Sequence, residues 1–125
     1  MGTVKHFLSA ALVLGLFGGF LAARDDKPKF TIEEVMEQAH KGKDALIQKA
    51  AAGKASKDEK DKLVELYVAL GQNKPPKGDA KSWKSKTDAL LSAAKAVVAD
   101  EKGAGPKLKM AANCMACHKV HKGDD

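Results

Sequence analysis

The 125-residue sequence predicts an all-α fold, an antiparallel up-down-up-down four-helix bundle. Three observations carry the prediction. After residue 23 the chain holds 17 alanines and 20 lysines against ten valines, isoleucines and threonines, which favours helix and disfavours strand. Apolar residues recur at three- and four-residue spacing in four successive stretches and nowhere alternate. The connectors between those stretches are short, as an antiparallel bundle requires.

Residues 1–23 differ in kind and are read as an export signal. Lys5 and His6 precede an apolar run over residues 7–23 that contains no acidic side chain. Ala22 and Ala23 then stand before Arg24-Asp25-Asp26, although Leu21 occupies a position where a small residue is preferred for cleavage. At 17 residues the run is also at the lower limit of a membrane span, so a retained anchor is the alternative to cleavage. Both readings put residues 24–125, the four-helix domain, in the periplasm.

The first helix is signalled by Thr31-Ile32-Glu33-Glu34, a capping box. Its apolar positions are Ile32, Val35, Met36, Ala39, Leu46, Ile47 and Ala50, with Gly42 inside the run and Gly53 as its stop. Ser56-Lys57-Asp58-Glu59 is a second capping box. It opens a helix whose stripe is Leu63, Leu66, Tyr67 and Leu70, closed by Gly71. Pro75 and Pro76 make the next segment a connector. Asp79 caps a third helix with Trp83, Thr87, Leu90, Leu91, Ala94, Val97 and Val98 on one side. Pro106 suits the first turn of a fourth, continuous helix, with Leu108, Ala111, Met115 and His118 along one stripe. Tyr67 and Met115 are expected in the core.

The chain carries 22 basic and 16 acidic residues, and residues 1–23 hold only one of the former, so the remainder keeps a net charge of +5. Lysines alternate with Asp and Glu, the pattern of solvated helix faces and not of a nucleic-acid stripe. A positive surface of this kind also suits docking of an acidic redox partner.

The chemistry is concentrated in Cys114-Met115-Ala116-Cys117-His118, which holds both cysteines of the chain. Two thiols three positions apart match the two vinyl groups along one haem edge, and the histidine that follows is placed to ligate the iron. C-x-x-C-H is the attachment signature of c-type haem. Export fits it, since this haem is attached outside the cytoplasm. A structural zinc site would need further ligands, for which only His121 and the distant His40 are at hand. A redox-active dithiol would want a βαβ setting that this composition does not supply.

The region after the signal resembles a class II cytochrome c, the cytochrome c-prime-type bundle. Three features carry the resemblance: the haem motif near the C-terminus, the run Val35-Met36-Glu37-Gln38-Ala39-His40-Lys41-Gly42, and the Trp83 segment, together spanning about residues 30–122. The resemblance implies one covalent haem c held by Cys114 and Cys117, with His118 as proximal ligand. In an antiparallel bundle the end of the fourth helix lies level with the start of the first, so the opposite face of the iron should meet early helix-one residues. Met36 and His40, four apart, share that helix face. Met36 matches the distal methionine of low-spin members; His40 is the second candidate, its other fates being a propionate contact or a solvated edge. Trp83 stands where members of the class pack an aromatic against the haem edge, and simple core packing is the competing reading. Lys122 replaces an arginine common four residues after the proximal histidine, which alters the expected surroundings of His118.

The function expected is that of a single-haem periplasmic electron carrier with His/Met ligation, not an enzyme: no catalytic acid, base or nucleophile set accompanies the motif. The alternative is a five-coordinate haem protein that binds NO or CO. Partners would be redox proteins, with a homodimer as a further option, no nucleic acid, and a membrane only if residues 7–23 are retained.

Overall fold

The computed structural model describes residues 27–123, so the expected export segment lies outside the described residues. The described part is mostly helical and contains no strand. None of its helices is long and apolar enough to cross a membrane.

Helix α1 (Ile32–Val35) opens on the expected capping box. Glu34 donates its backbone N–H to Thr31 Oγ1 (3.1 Å), and Glu34 Oε2 accepts the N–H of Thr31 (2.8 Å). The chain then continues without a break into a π-helical turn over Met36–His40. The long first helix expected from the apolar pattern stops here. Lys41 is extended (φ −90°, ψ 136°) and Gly42 adopts φ +90°, a left-handed conformation in which glycine costs least. Residues 40–44 offer no apolar side chain to bury, so nothing offsets the weakness of a mid-helix glycine. Helix formation resumes as α2 (Leu46–Ala51), which buries Ile47 and Ala50.

Helix α3 (Lys57–Gln72) begins at the Ser56 capping box and buries Leu63, Leu66, Tyr67 and Leu70 as the stripe predicted. It runs past Gly71 and ends where Asn73 turns extended ahead of Pro75 and Pro76. The segment before α1 is held against this helix: Asn73 Nδ2 donates to the Phe30 carbonyl (2.8 Å), the Lys62 ammonium lies 4.2 Å over the Phe30 ring, and Lys29 pairs with Glu65.

Helix α4 (Ala80–Val98) starts at Asp79, whose carboxylate accepts from the N–H groups of Lys81 and Ser82. Its buried face is broader than the predicted stripe: Ala93 and Ala96 join Trp83, Thr87, Leu90, Ala94 and Val97, because α4 packs on α3 to one side and α5 to the other. Val98, expected in the stripe, is exposed at the helix end.

Helix α5 (Ala104–Ala111) carries Pro106 in its first turn, where a missing N–H costs nothing, and buries Leu108. The expected continuous fourth helix divides at Ala112 (φ −90°, ψ 45°) and Asn113 (ψ 94°). Asn113 Oδ1 accepts the N–H of Ala116 (3.1 Å) and so caps a separate helix, α6 (Cys114–His121). A short amide side chain that bonds to the backbone two or three residues on starts a helix more readily than it continues one. The stripe is lost with the break. Met115, expected in the core, is 77% exposed, and His118 is exposed too.

The core joins Val35 and Ala39 to Ile47 and Ala50, the α3 leucines and Tyr67, the inner face of α4, and Leu108. Helix α6 stands at its edge and reaches the rest chiefly through half-buried Cys117 and buried His121.

Candidate haem-attachment site

Residues i, i+3 and i+4 of a helix share one face, and in α6 these are Cys114, Cys117 and His118. Both thiols are free. Cys114 is exposed, its Sγ 3.5 Å from the Ala112 carbonyl, while Cys117 is half-buried. Burial pushes the Cys117 thiol above its ordinary pKa, with nearby Lys86 opposing and Cys114 adding to the effect. The imidazole of His118 makes no side-chain hydrogen bond among the described residues.

A small cleft of about 90 Å³ opens beside the motif, lined by His40, Ile47, Gln48, Ala51, Lys109, Ala112 and Cys114. His40 thus faces the cysteine from the end of the π turn. Its Nε2 stands 3.0 Å from the hydroxyl of Tyr67, which is wholly buried. Burial lowers the His40 pKa, and the neighbouring charge of His118 lowers it further. The Tyr67 hydroxyl is pushed well above its ordinary pKa, mainly by burial and also by Cys114. Both groups are therefore neutral near pH 7 and share one hydrogen bond, whose direction follows the His40 tautomer.

Cys114, Cys117 and His118 thus share a face of α6, Cys114 and His40 line the same cleft, and Tyr67, which the sequence marked only as core, bonds His40. Met36 lies half-buried against the core at the start of the π turn. Trp83 is buried at the α4 N-terminus, where its Nε1 donates to the Asn73 carbonyl (2.8 Å) and its ring meets His121 edge-on at 5.3 Å. Lys122 closes α6 with its backbone N–H on the His118 carbonyl (3.1 Å).

The donor set fits a covalent c-type haem. Two unpaired thiols sit one helical turn apart on an accessible face, an unengaged imidazole follows, and the apolar side chains of Ile47, Ala51 and Ala112 line the adjoining cleft. It fits zinc less well, since no three His, Cys, Asp or Glu side chains converge among the described residues. The surroundings are basic: residues 102–123 contain five lysines and no carboxylate. No family model, curated protein or solved structure matches the chain.

Proposed function

We propose that this protein is a monohaem c-type cytochrome of the class II, four-helix type, exported to the periplasm and acting as an electron carrier rather than an enzyme. The observation that carries the reading is the single helical turn holding free Cys114, free Cys117 and His118, the first and last of them exposed. Cys114 and Cys117 would hold the haem by thioether bonds, and His118 would be its proximal ligand. When bound, the group supplies a one-electron Fe(III)/Fe(II) couple. The four bundle elements would be residues 32–51, α3, α4 and residues 104–121. Met36 is the distal ligand in this reading, with His40 as the second candidate. The run of lysines without carboxylates over residues 102–123 supports an acidic redox partner, whose approach it would steer.

One observation favours the second reading, a five-coordinate site for NO or CO. The Tyr67–His40 pair faces the motif, and such a polar couple would hydrogen-bond a bound diatomic.

The optical spectrum of the protein produced with c-haem maturation, oxidised and reduced, with and without carbon monoxide, decides between them. A low-spin spectrum unmoved by the gas supports the carrier. A high-spin spectrum that shifts on adding it supports the gas-binding site, and absence of covalent haem sinks both.

A further inference from the structure

The one buried residue of α6 is not in the haem motif. His121, three residues after His118, is 2% exposed. It is partnered on three sides by groups far away in sequence. Nδ1 stands 3.0 Å from the Lys77 carbonyl, Nε2 stands 3.1 Å from Ser82 Oγ, and the ring meets Trp83 edge-on at 5.3 Å. A carbonyl only accepts, so Nδ1 carries a proton and donates to Lys77, while Nε2 shares a hydrogen bond with the serine hydroxyl. The fourth side is Gly78, at φ +86°. A Cβ there would stand 2.5 Å from His121 Nδ1 and 2.8 Å from the Val120 carbonyl. The connector with Pro75 and Pro76 is therefore a shaped seat for this imidazole.

We propose that His121 is a positioning residue, which clasps α6 onto the 74–78 loop and the start of α4 and thereby fixes where His118 stands opposite the Met36–His40 turn. The proposal rests on the haem reading above. Helix α6 is bound at both ends, by the Asn113 cap and the 112–113 turn on one side and by His121 on the other, while Cys114, Met115 and His118 between them are exposed. Half-buried Cys117 is the helix's other contact with the core. The tilt of α6, and with it the direction of the His118 ring, follows from the clasp, and displacement of a ligand by even an ångström alters axial bonding. Trp83 belongs to this device: its Nε1 is tied to the Asn73 carbonyl, so the edge it offers His121 is itself fixed.

The test uses the full-length, haem-loaded chain and three substitutions. His121→Phe keeps a ring against Trp83 but strands the Lys77 carbonyl and the Ser82 hydroxyl. Gly78→Ala pushes the imidazole from its seat without altering it. His121→Asn restores a donor at the Nδ1 position alone. Three quantities are read: amide exchange over residues 114–121, the reduction potential, and carbon monoxide uptake by the reduced protein. His121→Phe and Gly78→Ala should speed exchange in α6 about ten- to a hundredfold relative to α3. They should also shift the potential and increase gas uptake, with His121→Asn in between. The proposal is overturned if exchange in α6 rises no more than in α3. It is equally overturned if exchange rises while potential and gas uptake stay at wild-type values, since His121 would then fasten the helix without positioning the ligand. Failure of the wild-type chain to take up covalent haem overturns the haem reading, and exchange alone then judges the clasp.

Discussion

The hydroxyl of Tyr67 and Nε2 of His40 meet at 3.0 Å, one group from the middle of α3 and the other from the last residue of the π turn. The two are unequally protected: Tyr67 is fully buried, whereas His40 is only partly so. Water can replace the tyrosine at His40 but cannot reach the hydroxyl. Tyr67→Phe should therefore cost about 1 kcal/mol of folding free energy. His40→Ala, which orphans the buried hydroxyl, should cost about 2–3 kcal/mol, with the double variant below the sum. Urea unfolding of the four proteins measures the difference, and equal losses would contradict the assigned asymmetry.

The choice of distal ligand separates by substitution. If Met36 binds the iron, Met36→Ala converts a low-spin spectrum to a high-spin one that responds to carbon monoxide, and His40→Ala leaves it low-spin. The reverse pattern would transfer the role to His40.

Leu66 is fully buried on the face of α3 that packs against the rest of the core. Leu66→Ala should lower stability by about 2–5 kcal/mol, the range of a core truncation that leaves a cavity. A midpoint in urea within error of wild type would show the site to be far more plastic than its burial implies.

At Gly105 a methyl group would stand 2.4 Å from the carbonyl oxygen of Ala51, so the backbones of α5 and α2 touch there. Gly105→Ala gains helix propensity, yet the clash involves backbone and cannot be relieved by turning a side chain. The net effect should be a loss of about 1–3 kcal/mol, read as a lowered Tm. A raised Tm would show that the two helices separate at little cost.

Glu59 accepts from Lys49 (2.8 Å) and from the Ser56 N–H (3.0 Å), and these bonds hold its carboxyl below its ordinary pKa of 4.5. A carboxylate with a depressed folded-state pKa contributes stability that is present above pH 4.5 and is lost as pH falls through the folded value. Because both side chains of the pair remain partly open to solvent the contribution is small, but it ties α2 to the start of α3. Glu59→Gln should flatten the acid limb of a stability-against-pH curve below about 4.5 and leave the neutral region little changed.

Where local chemistry dictated structure, the sequence could be read directly. Thr31 and Ser56 with their glutamates, Asp79, and the stripe from Leu63 to Leu70 all stand as their spacing required. The two breaks were harder to read for opposite reasons. At Gly42 the apolar period resumes in phase beyond the break, which disguised a stretch with nothing to bury. At Asn113 a capping residue fell inside an otherwise good helical pattern. That Cys114, Cys117 and His118 share one helix face could be read from their spacing alone, which is one helical turn. The burial of His121 could not, since its partners are a backbone carbonyl and a serine about 40 residues away, and neither leaves a periodic signal. Trp83 and Gly78 are the trace it does leave.

The His121 contacts also carry a consequence for the order of assembly. They span 39 to 44 residues of chain, whereas α3 and α4 are joined by a short connector and share the most extensive packing in the molecule. Closing a long loop loses more chain entropy than closing a short one, and α6 buries little apolar surface in return. The α3–α4 hairpin is thus expected to form early, and the segment bearing the cysteines to dock last and detach first, an order that amide exchange of α6 against α3 would read. A nascent chain would hold its scaffold formed while Cys114 and Cys117 are still free to be handled from outside.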